Sequence, residues 1–236
     1  MGLARAGEPL TFEGLSGGVS SDIWRADLAC GTVCIKRSLG KLRVAADWRA
    51  PVERGNYECR WIQTVAEIVP GAVPRILGHD ADACLFVMEY LDPDLYPVWK
   101  HQLRDGIAEP DTAAAVGRIL ASIHAKTAND PKIAAAFDTS YIFYPIRLEP
   151  YLEATGRVHS DRRVAFEHLI TTTQANRKAL VHGDVSPKNI LVGPDGPVFL
   201  DAEGAWYGDP AFDAAFCLNH LLLKCVWNRG AIGRFH

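Results

Sequence analysis

The sequence lacks the features of several large protein classes. Its 236 residues carry a net charge of −3, so there is no broad basic field to hold nucleic acid or an anionic membrane. No apolar run approaches the length of a membrane span, and the first residues contain no apolar stretch typical of a signal peptide. Hydrophobic residues make up 48% of the chain and charged residues 22%, as in globular proteins. We therefore expect neither a nucleic-acid partner nor a membrane partner.

The sequence also lacks closely spaced cysteine pairs of the CxxC kind, although it contains six cysteines. They are scattered through apolar segments, at Cys30, Cys34, Cys59, Cys84, Cys217 and Cys225. This scatter favours buried, reduced thiols over disulfides or a zinc site. Together with the missing signal peptide, it predicts a cytoplasmic protein.

Short strand-like runs alternate with one helix over the first ninety residues. The predicted strands cover 10–15, 22–28, 32–36, 75–78 and 83–90, and the predicted helix runs from Pro51 to Ile68. After residue 93 helical patterns dominate, with an apolar face over 116–123 and further helices at 164–172 and 211–226. Short β runs interrupt them between 180 and 201. The pattern predicts an α+β protein of two lobes, a β-rich one over 1–90 and a helical one over 91–236.

The loop between the first two predicted strands is the first feature that suggests chemistry. It consists of Ser16, Gly17, Gly18, Val19, Ser20 and Ser21. Two glycines and three serines let backbone N–H groups approach an anion closely. The loop matches neither GxxxxGK[ST] nor GxGxxG, and an ordinary hairpin turn is the alternative interpretation.

Lys36 and Glu58 form the second feature. Lys36 ends an apolar strand run, and Glu58 shares a helix face with Ile62 and Val65. A lone carboxylate on an apolar face is costly unless it is paired, and a lysine from the neighbouring strand is a natural partner. The alternative is a surface glutamate at the edge of the apolar stripe.

The most informative segment runs from 180 to 201. A Gly-Pro-Asp-Gly tetrad lies between two apolar runs and predicts a β-hairpin, with Asn189 just before the first run and Asp201 just after the second. An antiparallel hairpin brings those two positions together at its open end, where their oxygens suit Mg²⁺. Asp184, on the preceding loop, is then free to act on a substrate. The alternative is that Asp184 and Asn189 only cap turns.

The connector over 85–93 is the fourth feature. An apolar strand that leaves into an extended linker offers free backbone groups at a cleft between lobes, where a flat base can pair. An ordinary domain linker is the alternative.

Together these residues resemble the aminoglycoside phosphotransferase and choline kinase-like family, small-molecule relatives of the protein kinases. His182-Gly183-Asp184 followed by Asn189 resembles the HGDxxxxN catalytic loop of that family, and Leu200-Asp201-Ala202-Glu203 resembles its metal motif. The resemblance covers residues 15–224. It implies a two-lobed protein kinase-like fold, with an antiparallel N-terminal lobe and a helical C-terminal lobe that carries the catalytic hairpin.

The resemblance also implies roles. Asp184 would accept or orient the proton of an acceptor hydroxyl, and Asn189 and Asp201 would hold Mg²⁺ on the phosphates of ATP. Lys36, oriented by Glu58, would contact the α- and β-phosphates, and the loop 16–21 would cover them. The remaining contacts would be to adenine: Met88 would border its pocket, and the carbonyl of Glu89 and the N–H of Leu91 would pair with its edge. Such a division of labour is typical of phosphoryl transfer.

The implied function is ATP- and Mg²⁺-dependent transfer of a phosphoryl group to a hydroxyl of a small molecule, which is an aminoglycoside, an amino alcohol or a sugar. A positively charged acceptor would need an acidic pocket, for which Glu203, Asp209 and Asp213 are candidates; for Asp209 and Asp213 the interpretation adopted is structural, as caps and anchors of helices. A protein kinase is disfavoured, because Gly183 and Ser186 replace the arginine and lysine of that loop and no APE signature follows.

A second hypothesis is an inactive nucleotide-binding protein or a fragment. Family members usually continue with further helices beyond the segment 221–224, whereas this sequence ends at His236. We therefore expect either a compact family member or a chain that lacks a tail. The oligomeric state stays open.

Overall fold

The computed structural model describes residues 2–5, 7–15, 18–45 and 48–228. Ser16 and Gly17, which belong to the predicted phosphate loop, lie outside the described residues. Among the helices of the described ranges, none has both the length and the apolar character needed to cross a membrane. The six cysteines all carry free thiols, as predicted. The predicted burial is confirmed for Cys34, Cys59 and Cys217 but is wrong for the others, because Cys30 is exposed and Cys84 and Cys225 are half-buried.

A five-stranded antiparallel sheet forms from the first ninety residues, in the order β1-β2-β3-β5-β4. Its strands are β1 (Thr11–Gly14), β2 (Ser21–Leu28), β3 (Gly31–Ser38), β4 (Ile76–Asp80) and β5 (Leu85–Glu89). All five predicted strands are confirmed, with ends displaced by at most a few residues. In β3, Cys34 packs into the main core and Val33 into a separate small cluster, because successive side chains of a strand point to opposite faces.

Helix α1 (Arg54–Ile68) packs against the sheet through Cys59, Ile62 and Val65, which are fully buried. The predicted start at Pro51 is wrong by three residues. The Arg54 N–H donates to the Pro51 carbonyl and the Gly55 N–H to the Val52 carbonyl, so the chain makes a tight turn before the helix begins.

Helices dominate the rest of the chain. They are α2 (Trp99–Arg104), α3 (Pro110–Thr127), α4 (Pro131–Ala136), α5 (Ser140–Phe143), α6 (Ala154–Val158), α7 (Arg163–Ala175) and α8 (Ala211–Trp227). Between α5 and α6 the chain forms a π-helical segment, Tyr144–Glu153. The predicted apolar face of α3 is confirmed, since Val116, Leu120 and Ile123 are buried in the main core.

Two small antiparallel pairs support the loops of the helical part. Strand β6 (Ala179–Val181) pairs with β9 (Trp206–Gly208), and β7 (Ile190–Gly193) pairs with β8 (Gly196–Phe199). The second pair is the predicted hairpin. Because β6 precedes the Asp184 loop and β9 follows the Asp201 loop, the two pairs bring both loops to one side of the helical part.

Candidate active site

The predicted ion pair between Lys36 and Glu58 forms. Lys36 lies on β3 and Glu58 on α1, and the two residues are only 3% and 1% exposed. The Lys36 Nζ lies 2.8 Å from each carboxylate oxygen of Glu58. The interpretation of Glu58 as a surface glutamate is therefore wrong.

Two further carboxylates join this pair. The Lys36 Nζ lies 2.5 Å from Asp201 Oδ1 and 3.4 Å from Glu203 Oε1. Glu58, Asp201 and Glu203 each offer an oxygen within 4.8 Å of the others. Glu203 also accepts hydrogen bonds from Arg54 Nε at 3.0 Å and from Ser21 Oγ at 2.5 Å. Residues from β2, β3, α1 and the loop after β8 thus meet at one buried cluster.

The cluster has more carboxylates than cations. Burial acts to lower the pKa of Lys36, but Asp201, Glu58 and Glu203 outweigh it and raise that pKa well above its usual range. Burial raises the pKa of Glu58 to about 8 in spite of Lys36. Burial also acts to raise the pKa of Asp201. There, however, Lys36 and Lys188 outweigh burial and hold the pKa well below its usual range. Near pH 7 Glu58 is then largely protonated, so Asp201 and Glu203 are balanced by Lys36 and Arg54. Three carboxyl groups with closely spaced oxygens suit a divalent cation, whose charge would favour loss of that proton.

Asn189 and Asp201 lie at the open end of the hairpin, as predicted. Ile190 pairs with Phe199, and the Leu200 N–H donates to the Asn189 carbonyl at 2.9 Å. Asp201 has φ +67°, the left-handed region that few non-glycine residues adopt. The Asn189 Nδ2 donates to the Asp184 carbonyl at 3.1 Å, which leaves the amide oxygen as the ligand atom for a cation.

Hydrogen bonds hold the loop of Asp184 in place. The backbone N–H groups of His182 and Gly183 each donate to a different oxygen of Asp213, both at 2.9 Å. The Asp184 N–H donates to His182 Nδ1 at 3.1 Å, so His182 carries its hydrogen on Nε2, which lies 3.1 Å from the Leu200 carbonyl. Asp213 therefore anchors this loop to α8, which agrees with the structural role predicted for it. Asp209 caps that helix: its Oδ1 accepts from the Ala211 N–H at 3.0 Å.

Gly183 is required by a close approach between the two loops. Its φ is +81°, and a Cβ at this position would lie 2.5 Å from the Gly204 carbonyl oxygen. The loop of Asp184 and the loop of Asp201 thus touch through their backbones. Only glycine tolerates both the conformation and the contact.

Two cations contact the Asp184 carboxylate. Arg147 Nη2 lies 3.0 Å and Lys188 Nζ 3.2 Å from the same oxygen, Oδ2. Burial acts to raise the pKa of Asp184, but Arg147 and Lys188 outweigh it and lower the pKa. Sequence reasoning missed Arg147, because it lies in the π-helical segment, far from every motif. Lys188 stands inside the quoted motif, but no pattern gave it a role.

The described part of the predicted phosphate loop folds back on the chain that follows β3. The Val19 carbonyl accepts from the Arg43 N–H at 2.7 Å, and the Ser20 carbonyl from the Leu39 N–H at 2.9 Å. Gly18 approaches Ser21 so closely that a Cβ on Gly18 would lie 2.8 Å from the Ser21 carbonyl oxygen. The strands β1 and β2 do form a hairpin. This geometry is compatible with a loop over phosphates, and that role stays a prediction.

The predicted adenine segment lies at the end of β5. Met88 is buried opposite Cys34 of β3, and the chain leaves the sheet after Glu89. The Glu89 N–H donates to the Arg75 carbonyl at 3.0 Å, and Glu89 Oε1 accepts from the Arg75 N–H at 2.8 Å. The roles of the Glu89 carbonyl and the Leu91 N–H stay predictions.

Comparison with known proteins identifies the family. Residues 11–225 match the model of the phosphotransferase enzyme family, APH. The match spans most of the chain, which therefore belongs to this family, as its motifs indicated.

Individual relatives agree with that assignment. Over 229 residues the chain is 27% identical to a methylthioribose kinase of Yersinia pseudotuberculosis, a match that covers 85% of this chain and 55% of the relative. The chain thus spans about half the length of the curated relatives it matches.

Solved structures establish the fold. A choline/ethanolamine kinase family protein from Mesorhizobium loti superposes with a TM-score of 0.60 at 17% identity, covering 98% of this chain and 70% of that one. An amicoumacin kinase in complex with AMP-PNP and Ca²⁺ has a TM-score of 0.55 at 16% identity and covers 95% and 70%. The fold is therefore the predicted two-lobed, protein kinase-like α+β fold.

Proposed function

We propose that this chain transfers a phosphoryl group from ATP to a hydroxyl of a small molecule, with Mg²⁺ as cofactor. One observation carries the proposal: the buried Lys36–Glu58 pair, the oxygens of Asp201 and the Asp184 loop meet at one place. Family membership supports it, and so does the name of the methylthioribose kinases, which states a small-molecule acceptor. The AMP-PNP and Ca²⁺ bound by the related amicoumacin kinase support a nucleotide and a divalent cation.

The donor set fits Mg²⁺. Asp201 and Asn189 would hold the ion, since the two residues lie at the open end of the hairpin and Asp201 belongs to the acidic cluster. When bound, Mg²⁺ supplies positive charge that neutralises the phosphate oxygens during transfer. Lys36, held by Glu58, would contact the α- and β-phosphates, and residues 16–21 would cover them.

The other assignments concern the base and the acceptor. Asp184 would orient the acceptor hydroxyl and take its proton, while Met88, the Glu89 carbonyl and the Leu91 N–H would bind adenine. The sheet would form the nucleotide lobe over residues 1–90, and the helical part over 91–236 would carry the remainder of the site. These divisions rest on the positions of the strands and loops, and a cytoplasmic location rests on the free cysteines.

A sugar-like acceptor is favoured over a positively charged one. The three acidic candidates for a cation pocket have other partners: Glu203 contacts Arg54 and Ser21, Asp213 holds the Asp184 loop, and Asp209 caps α8. Glu203 and Asp213 are also buried, so neither is available to an ammonium group of an acceptor. A neutral sugar also agrees with the name of the relatives, which are methylthioribose kinases.

Nucleotide binding is tested by thermal unfolding with and without Mg-ATP. At a hundredfold excess over Kd, a ligand adds about 2.7 kcal/mol to the stability, which for this chain length raises the Tm by roughly 5–10 °C. We expect this shift in the wild type and its loss in Asp201→Ala. Asp195→Ala, an exposed aspartate at the opposite end of the same hairpin, is the matched control and keeps the shift. A wild type without any shift at millimolar Mg-ATP would contradict the proposal.

Phosphoryl transfer is tested by ADP release in an acceptor screen. We expect methylthioribose or another neutral sugar to exceed choline and an aminoglycoside, and casein to give no product. Asp184→Asn is expected to lose most of the transfer while it keeps the Mg-ATP shift in Tm. Unchanged turnover in that variant would overturn the role of Asp184. A Tm shift with no turnover on any acceptor would favour the inactive nucleotide-binding protein.

A further inference from the structure

Arg147, like Arg54, is a buried cation of the site that no motif explains, and it is the one in contact with Asp184. It is 8% exposed, and each nitrogen of its guanidinium has a partner. Nη2 contacts Asp184 Oδ2 at 3.0 Å, Nη1 donates to the Ile146 carbonyl at 2.7 Å, and Nε donates to the Gly183 carbonyl. One planar group thus fixes both the side chain of Asp184 and the backbone just before it.

Arg147 also lies against the second loop. A Cβ on Gly204 would lie 3.4 Å from Arg147 Nε, so the guanidinium lies beside the loop that begins at Asp201. A lysine at this position has one nitrogen and cannot make the same set of contacts, because the fork of arginine presents its donors in fixed directions.

Lys188 is the second cation on Asp184, and its situation differs. Its side chain is 51% exposed, whereas that of Arg147 is almost completely buried. Both cations contact Oδ2. The other oxygen, Oδ1, is therefore the one best placed to receive an acceptor hydroxyl.

We propose that Arg147 is a positioning residue for phosphoryl transfer: it holds the Asp184 carboxylate by Oδ2, with help from Lys188, and presents Oδ1 to the acceptor. The inference rests on the proposed function. In the step it serves, the acceptor O–H bond breaks and its proton passes to Oδ1 of Asp184. The acceptor oxygen bonds to the γ-phosphorus as the bond to the leaving ADP oxygen breaks.

The first test compares kinetics of Arg147→Met, Arg147→Lys and Arg157→Met, the last an exposed arginine on α6. With Mg-ATP and methylthioribose, we expect Arg147→Met to lower kcat roughly a hundredfold, the loss typical of a misplaced catalytic group, while KM for ATP changes less than about twofold. Arg147→Lys restores part of the rate, and Arg157→Met matches the wild type. If Arg147→Met instead raised KM for ATP and left kcat unchanged, the positioning role would be overturned.

The second test needs neither acceptor nor nucleotide. It compares crystal structures of the full wild-type chain, Arg147→Met and Arg157→Met. We expect the Asp184 carboxylate to leave its wild-type orientation in Arg147→Met and to keep it in Arg157→Met. An unchanged Asp184 carboxylate in Arg147→Met overturns the proposal. If Arg147→Met does not fold, Arg147→Lys replaces it and is expected to show a smaller displacement. A wild type whose Tm does not respond to Mg-ATP refutes the proposed function, while these structures still decide whether Arg147 positions Asp184.

Discussion

Three carboxyl groups contact Lys36 on the sheet side of the site, and one of them, Glu203, also contacts Arg54. On the hairpin side, by contrast, two cations contact the single carboxylate of Asp184. The sheet side has more carboxyl groups than cations, and the hairpin side has more cations than carboxylates. Two features join the two sides of the site: the β7–β8 hairpin, which runs from Asn189 to Asp201, and the backbone contact between Gly183 and Gly204.

The difference between the sheet side and the hairpin side, the two ends of the site, indicates which charged ligand groups each end can bind. Uncompensated buried charge is costly, so a site with surplus carboxylates gains from a further cation, and a site with surplus cations gains from phosphate oxygens. A phosphate chain with a bound divalent cation supplies both the positive charge for the carboxylate-rich end and the negative oxygens for the cation-rich end. Under the proposed function, ATP and Mg²⁺ would complete the two ends together, and the predictions below test whether the ends really differ in this way.

The largest effect is expected at the sheet side. Lys36→Met leaves Glu58, Asp201 and Glu203 without their shared cation, and breaking a buried pair in this way costs about 3–5 kcal/mol. Urea unfolding measures the loss. Lys188→Met, which removes the half-exposed cation from the other end, is the control and should lose much less. Equal losses in the two variants would remove the distinction between the ends.

Added Mg²⁺ sharpens the same comparison. Millimolar Mg²⁺ should recover more stability in Lys36→Met than in the wild type, because the variant has the larger charge surplus. If Mg²⁺ affects both proteins equally, the acidic cluster is not the site where the ion acts.

A medium effect is expected from His182, which lies between the two ends. Burial lowers its pKa, although Asp213 opposes this. As the pH falls through about 6.5, the unfolded chain binds a proton at this position that the folded chain does not, so the free energy of unfolding decreases. This loss, on the order of 1 kcal/mol between pH 7 and pH 5, should be missing in His182→Gln. His168→Gln, at an exposed position on α7, should keep the wild-type slope.

The smallest effect is expected on the surface. Arg163 and Glu167 form an exposed i,i+4 pair at 2.7 Å on α7, and exposed pairs of this kind contribute little because water and salt screen them. Arg163→Ala should leave the urea midpoint and the Mg-ATP shift close to wild type. A loss comparable to that of Lys36→Met would mean that burial does not set the size of these effects.

The sequence allowed the strands, the hairpin and the pairing of Lys36 with Glu58 to be predicted. In each case the signal was local: a period of two, a turn tetrad, or a carboxylate on an apolar face. The predicted start of α1 was wrong because proline is compatible both with the first turn of a helix and with the tight turn that precedes Arg54.

Contacts between segments far apart in the sequence could not be predicted from local residue patterns. Arg54 and Glu203 are 149 residues apart, and Arg147 and Gly183 are 36 apart. Arginine is common on helix surfaces, and nothing in the residues around Arg147 marks it as buried. Asp213 gave a signal only as a helix residue, so its bonds to the Asp184 loop were also missed.

The backbone contact between Gly183 and Gly204 limits how this site can change during evolution. Elsewhere in a site a bulkier or smaller side chain can be compensated by its neighbours. At Gly183 the nearest atom is a carbonyl oxygen of the other loop, so there is no side chain to adjust. Variants selected for a new acceptor should therefore accumulate at positions around the two loops and leave this glycine unchanged.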